Sequence, residues 1–427
     1  MFIHKVEFSN FFSFSDAVHL DFTTSKSKAG LSTQFDAERY INKISGFFGA
    51  NGSGKTNSLK AIAFIDYFIH YSFLGVEKDE ELATQSHALH ENEPSSFRIE
   101  YSNENQLFSY EFVLLHGKLD SEKLKFLNAD TGKYKVLYSR TKQDSGYKTS
   151  FPQKGGMPKL SDNFDRDNCS LASFVYQLGN EEALKENHPL FHKAISAFDK
   201  IKTNVIAVGK NDDLHGALFS LSESLVGFEH TILKFIESVV KNIDLGIERL
   251  ELRKVQVYEG NKVNEKDLIF AVHEDSDGGQ YSIPVFNEST GTQKILCALW
   301  RLLPVMWNGG VVLYDELDSD LHPYMMPFII DIFINPEINL VGGQLIFSGH
   351  TLEAIKELQK SQIFFVEKND LRSELFRCDE ITGLRTDDSI YKKYIQGALG
   401  GVPRLDASNI SLACLMEKGG IQNASQS

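Results

Sequence analysis

Residues 45–58, SGFFGANGSGKTNS, decide the fold. Within them Gly49-Ala50-Asn51-Gly52-Ser53-Gly54-Lys55-Thr56 is a complete phosphate-binding loop pattern, G-x-x-x-x-G-K-[ST]. An apolar run, Ile44–Phe48, leads in and predicts a strand. Behind the loop, Leu59, Ile62, Ile65, Ile69 and Phe73 recur three or four residues apart and predict a helix. A chance glycine-rich turn would not be framed in this way. Glycines let backbone amides turn inward around a phosphate, and the new helix adds its positive N-terminal end. Lys55 is then expected to reach the β- and γ-phosphates, and the Thr56 hydroxyl to bind Mg²⁺.

The partner of such a loop is a buried strand ending in acids. Val311-Val312-Leu313-Tyr314-Asp315-Glu316 has that form, after a turn at Asn308-Gly309-Gly310. Asp315 is expected to hold Mg²⁺ and Glu316 to polarise the attacking water. Upstream, Glu288-Ser289-Thr290-Gly291-Thr292-Gln293-Lys294 opens a helix over 295–307, a second anion-binding helix start. Downstream, Leu345-Ile346-Phe347-Ser348-Gly349-His350 is an apolar strand ending in a histidine.

Composition bounds the rest. The chain has 427 residues, 42% hydrophobic and 24% charged, which suits a globular protein. No apolar stretch reaches membrane-spanning length, and the N-terminus MFIHKVEFSNFF lacks a signal-peptide pattern. Cys169, Cys297, Cys378 and Cys414 are scattered without a C-x-x-C, so neither a zinc site nor a disulfide framework is expected. A cytoplasmic location fits. The net charge of −14 argues against a broadly nucleic-acid-attracting surface, though not against a local basic groove.

Along the chain, Phe2, Val6 and Phe8 are expected to share one face of a first strand. Residues 15–43 read as polar loop around a short apolar patch. Residues 96–140 alternate as an antiparallel meander, with turns at Asn103-Glu104-Asn105 and Asp130-Thr131-Gly132. Residues 141–168 read as exposed loop and 170–199 as helical, and 205–208 as a short strand. Leu221, Leu225, Phe228, Ile232, Phe235, Val239 and Ile243 predict one long amphipathic helix. Strands are expected near 250–257, 268–272 and 281–286, then alternating helix and strand. The predicted class is α/β. It comprises an N-terminal lobe with the phosphate loop and meander (1–140), a loop and helical insertion (141–245), a C-terminal ATPase lobe (246–410) and a disordered tail (411–427).

The order phosphate loop, long insertion, S-x-G-x-x-K, apolar strand with Asp-Glu, then strand with His resembles the ABC-type ATPase heads, in the branch that includes SMC, RecF and OLD proteins. It is most similar to the compact AAA-family ATPases of bacterial defence and abortive-infection operons. Asn10-Phe11-Phe12-Ser13-Phe14, Asp318-Ser319-Asp320-Leu321-His322-Pro323 and the ending Tyr394-Ile395-Gln396-Gly397 to Gly401-Val402-Pro403 add to the likeness, which spans residues 1 to about 405 and is weakest over 141–200. It implies ATP and Mg²⁺ as ligands and a homodimer of heads with two ATPs sandwiched between them. Gly49, Asn51, Gly52, Ser53, Gly54, Lys55 and Thr56 of one head would face Ser289 and Gly291 of the other. Thr56 and Asp315 would hold the metal. Glu316, His350 and Lys55 would be catalytic, with His350 on the γ-phosphate, and Asp318 to Asp320 would couple the two sites. Thr290 departs from the first signature glycine of transporters, and Phe12 stands where relatives often carry Lys or Arg. The Q-loop glutamine is not assigned; Gln153 and Gln177 are the candidates.

The region between Thr56 and Ser289 carries a β-meander rather than heptads, so no long coiled coil is expected. Only 77 residues follow His350 (427 − 350), short for a fused nuclease domain. His188-Pro189-Leu190-Phe191-His192 lacks the glutamate of a zinc-protease motif. Two functions stand. One is a defence ATPase that controls a separately encoded effector such as a nuclease. The other is a RecF-like DNA-repair ATPase that clamps DNA when ATP drives dimerisation. A transporter subunit fits the signature and the N-terminal motif poorly. Whether DNA binds, and whether the dimer builds into larger rings, stays open.

Overall fold

A computed structural model describes residues 1–402 apart from 26–29, 38, 83, 154–163, 207–212, 228, 243–245, 260–261 and 386–387. The chain opens with β1 (Phe2–Ser9) and β2 (Val18–Asp21). Strands β3 (Thr23–Thr24), β4 (Ser32–Gln34) and β5 (Tyr40–Asn42) form a small sheet in the order β3-β5-β4, followed by β6 (Ile44–Phe48). The stretch expected to be loop over 15–43 is therefore partly strand. Its strands are two to four residues long, too short to show an alternation.

After the glycine loop come α1 (Lys55–Asp66), a π-helical turn Tyr67–Tyr71, and α2 (Ser72–Gly75). Leu59, Ile62, Ile65 and Ile69 are all buried, as their spacing requires. The meander follows as β7 (Ser95–Asn103), β8 (Gln106–Leu115), β9 (Lys118–Asn128), β10 (Lys133–Gln143) and β11 (Gly146–Ser150). These join β1 and β2 in a seven-stranded antiparallel sheet, β11-β10-β9-β8-β7-β1-β2. The expected loop after 140 thus begins as one more hairpin, and 154–163 lies outside the described residues. In β1 the register slips between Ile3 and Lys5. That bulge turns Ile3, not Phe2, onto the buried face with Val6 and Phe8.

The insertion holds α3 (Leu171–Leu178), α4 (Glu181–Asn187) and α5 (Pro189–Ile195), then β12 (Ile201–Thr203). The strand expected over 205–208 is thus displaced to 201–203; Val208 lies outside the described residues. The single helix expected over 221–243 is broken into α6 (Leu214–Ser224), a π-helical turn Glu229–Leu233 and α7 (Lys234–Asn242). Gly227, with φ 86°, lies in the turn between the first two pieces; Phe228 and Ile243 lie outside the described residues. The hairpin β13 (Arg249–Glu259) and β14 (Lys262–Glu274) with β15 (Gln280–Pro284) makes a three-stranded antiparallel sheet.

The last part runs α8 (Thr290–Asn308), β16 (Val311–Tyr314), α9 (Met325–Ile334), β17 (Gln344–Ser348), α10 (Glu353–Glu357), β18 (Ile363–Asn369), β19 (Arg372–Arg377) and α11 (Ile390–Ile395). Pro403 and the expected disordered tail lie outside the described residues. The central sheet, β12-β16-β17-β6-β18-β19, is parallel except for β19. Its strands alternate between two cores. Phe47, Val311, Leu313, Ile346, Phe364 and Val366 face the N-terminal lobe, α1 and α3–α5. Phe48, Val312, Tyr314, Leu345, Phe347, Ile363 and Phe365 face α6, α7, α8 and α9. A parallel strand buried on both faces has to be apolar throughout, which is why these segments read as unbroken apolar runs. Three loops leave the carboxyl ends of adjacent strands β6, β17 and β16, and there the functional residues meet.

Candidate functional site

The loop between β6 and α1 wraps around its own lysine. Lys55 Nζ donates to the carbonyl oxygens of Gly49 (2.9 Å) and Ala50 (3.0 Å). Burial holds the ammonium below its ordinary pKa, and the charges of Asp315, Glu316 and Asp318 oppose that shift. Two glycines are dictated by contact: a Cβ at Gly49 would lie 2.1 Å from the Val366 carbonyl oxygen, and one at Gly54, where φ is 118°, 2.6 Å from Ser373 Oγ. Gly52 and Asn51 are exposed at the tip, and Ser53 Oγ is buried without a partner.

The second strand closes on the first through side chains. Thr56 Oγ1 donates to Asp315 Oδ2 at 2.9 Å. Ser348, at the end of β17, donates to Asp315 Oδ1, while its own oxygen accepts the Glu316 N–H at 2.8 Å. Asn204, just past β12, brackets Asp315 from the other side: its Oδ1 accepts the Asp315 N–H (2.8 Å) and its Nδ2 donates to the Asp315 carbonyl (3.0 Å). Glu316 itself sits in the left-handed region at φ 52°, a conformation a non-glycine residue adopts at a cost.

Asn51, Gly52, Gly54, Lys55, Thr56, Asn57, Glu316, Asp318, Ser319, His350 and Thr351 line one open cleft of about 690 Å³. The sequence-derived residues Lys55, Thr56, Glu316 and His350 are thus brought together, with Asp315 behind Thr56. Ser289 and Gly291 are not among the lining residues. Ser289 instead caps α8, accepting the Thr292 N–H at 3.1 Å. Lys294, a turn later, reaches Ser319 Oγ (2.9 Å) and Asp320 of the loop after β16. Neither glutamine candidate lines the cleft; Gln177 Nε2 donates to the His70 carbonyl instead. His188 precedes α5 and His192 lies in its middle, with His192 Nε2 3.7 Å from Glu181.

The N-terminal Asn-Phe-x-Ser-Phe segment braces the loop from outside. Asn57 Nδ2 donates to Ser13 Oγ (2.8 Å), Ser373 Oγ donates to Ser53 O (2.6 Å) and lies 2.8 Å from Ser13 Oγ. Asn10 fixes the 85–94 connection through His90 O, Glu93 O and the His87 N–H. Phe12 carries no charge, but Lys60 of α1 sits 4.6 Å from its ring centre and supplies a cation beside it. Asn204, Ser348, Asn57, Ser373 and Lys60 were not singled out from sequence. Only Ser348 carried a signal, as the last residue of the apolar strand before Gly349 and His350.

Thr56 and Asp315 offer oxygen donors, the set a small hard cation such as Mg²⁺ takes, and their oxygens already converge. The chemistry available is therefore phosphate binding by loop amides and a lysine, with a carboxylate and an imidazole opposite.

No curated protein matches the chain. Among solved structures, an Smc head bound to the C-winged helix domain of ScpA is 12% identical, with a TM-score of 0.47, covering 88% of this chain and 97% of that one. A Pyrococcus furiosus Smc head with an extended coiled coil, bound to the C-terminal domain of ScpA, is 12% identical, with a TM-score of 0.44, over 89% of this chain and 97% of that one. A Pyrococcus yayanosii Smc head with a coiled coil and joint is 11% identical, also at 0.44, over 93% and 99%. The family model described as "AAA domain, putative AbiEii toxin, Type IV TA system" matches residues 44–355, from the phosphate-loop strand past His350. The chain belongs to that AAA-domain family.

Proposed function

We propose that the chain binds and hydrolyses ATP as a slow switch, in a bacterial anti-phage (abortive infection) system where it controls a separately encoded effector. The observation that carries the ATPase part is the convergence of Lys55, Thr56, Glu316 and His350, from three adjacent strands, on one cleft. The family's description, a toxin of a toxin–antitoxin system, supports the defence part.

In this reading the loop amides and Lys55 take the β- and γ-phosphates. Lys55 gives up the Gly49 and Ala50 carbonyls for phosphate oxygens. Thr56 and Asp315 would hold Mg²⁺, which offsets phosphate charge when bound. Glu316, fixed by Ser348, accepts the proton of the attacking water. His350, exposed on the rim, meets the γ-phosphate. Ser289 and Gly291 are absent from their own chain's cleft, and they would complete the cleft of a second copy. ATP touching both copies then favours the closed dimer.

The DNA-clamp alternative needs free cations. On the outer face of the large sheet, Arg98 pairs with Glu7 (3.6 Å) and Glu100 (2.5 Å), and Glu111 takes Lys123 (3.2 Å) and Lys125 (2.7 Å). Cations already neutralised release few counterions on phosphate, which favours the protein effector. Among the described residues no helix is long and apolar enough to cross a membrane.

The test is phage plating on cells carrying the chain with and without its neighbouring gene. Interference should need both genes and be lost with Lys55→Ala. Full interference from the chain alone would sink the effector reading, and ATP-dependent, salt-sensitive DNA binding would favour the clamp.

A further inference from the structure

We propose that Asp318 is a positioning residue for His350, its two carboxylate oxygens holding the histidine's main chain and its imidazole separately. The proposal rests on the reading of the cleft as an ATP site.

Asp318 lies two residues past Glu316 and is 7% exposed. Its Oδ2 accepts the N–H of His350 at 2.7 Å and also that of Thr351. The carboxylate lies flat on the turn before the histidine: a Cβ at Gly349 would come within 3.0 Å of Oδ2 and 3.2 Å of Oδ1. A side chain larger than glycine there would push the clamp off. Oδ1 is buried and has no hydrogen-bond partner. Among the described residues no lysine, arginine or histidine forms an ion pair with Asp318. A buried carboxylate with one oxygen unmet is disfavoured unless something meets it in another state.

A group able to do so is the imidazole of the residue already clamped. The His350 N–H is fixed on Oδ2, so rotation about its own two side-chain torsions can bring Nδ1–H to Oδ1 of the same carboxylate. The ring now stands exposed at the rim of the cleft. With Nδ1–H on Oδ1 the tautomer is set and Nε2 is turned toward the cleft, as an orienting carboxylate does for other functional histidines. Asp318 thus does two jobs that a single oxygen could not do. Its backbone clamp sets where the histidine turn sits, and its spare oxygen holds Nδ1–H so that Nε2 faces the cleft as an acceptor, able to take an O–H of the attacking water beside the γ-phosphate.

Asp318→Asn separates the two jobs. The amide oxygen still accepts both N–H groups, while the amide nitrogen cannot accept from the ring. The full chain with ¹⁵N-labelled histidine, saturated with the non-hydrolysable analogue AMP-PNP and Mg²⁺, should show His350 carrying its proton on Nδ1. Asp318→Asn should abolish that preference and lower kcat by roughly 10- to 100-fold, the range typical of a group that orients a histidine. KM should stay within about twofold. In a His350→Ala background the same substitution should cost nothing further. A His350 protonated on Nε2 in the unsubstituted complex overturns the proposal, even should Asp318→Asn fail to fold. Equal kcat for wild type and Asp318→Asn, or independent losses in the double variant, also overturn it. Absence of AMP-PNP binding by calorimetry removes the ATP reading and this proposal together, whereas binding with the wrong tautomer removes this proposal alone.

Discussion

The hydroxyl of Thr56 donates to the carboxylate of Asp315 across 2.9 Å, although 259 positions separate them in sequence. This one bond joins the start of α1 to the end of β16. It also brings together the two oxygens proposed to hold Mg²⁺. Thr56→Val should therefore weaken Mg²⁺–ATP binding by about tenfold or more, the cost of a lost charge-assisted contact. Binding of ATP in the presence of a chelator should change little. Calorimetry with and without Mg²⁺ separates the two.

Lys55→Ala should abolish ATP binding outright without harming the fold. The ammonium is desolvated where it sits, so its removal costs little stability. A melting temperature at or above wild type, with no nucleotide-induced rise, is the expected pair of results.

Glu316→Gln keeps the shape of the cleft and the Ser348 contact to its backbone N–H. ATP should still bind, turnover should fall by about 10²-fold or more, and a dimer should accumulate in ATP. Light scattering after gel filtration reads the dimer. Equal turnover in wild type and variant would falsify the assignment of the base.

How much of this was legible beforehand follows from where each signal lives. The phosphate loop, the Asp315-Glu316 strand and the His350 strand could be read because each is a local pattern on an unbroken apolar run. Asn204 could not be read: its bonds to the Asp315 backbone exist only because β12 pairs with β16. The bulge in β1 was hidden because one inserted residue leaves no compositional trace. The single long helix over 221–243 was misjudged because apolar spacing carries across a break at Gly227.

The meander holds a site that no motif announces. Arg140 and Glu122, both fully buried, lie 3.5 Å apart. Tyr110, Tyr138 and Ser170 donate to Glu122 Oε2 at 2.8, 2.9 and 3.0 Å. Arg140→Met should destabilise the chain by about 3–5 kcal/mol, because it strands a buried carboxylate. Replacing Glu122 and Arg140 together by apolar residues should cost less than either change alone. Chemical denaturation of the three variants measures it.

Asp66, at the end of α1, has a buried Oδ1 without a partner. Burial, and then the charge of Asp199, raise its carboxyl to about 8. The folded state therefore holds a proton that the unfolded chain releases near pH 4. Stability from this group is full below pH 4 and is lost as pH rises toward 8, at up to about 1.4 kcal/mol per unit. Asp66→Asn should flatten that slope, so the melting temperatures of wild type and variant should diverge steadily from pH 5 to pH 7.5 and level off above pH 8.

The C-terminal turn rests against the phosphate loop. Gly401 lies so close to Gly49 that a Cβ on it would be 3.5 Å from the Gly49 Cα. Its N–H reaches Glu367, and its carbonyl takes the Tyr394 hydroxyl. During synthesis, then, the loop emerges early but its back wall arrives some 350 residues later.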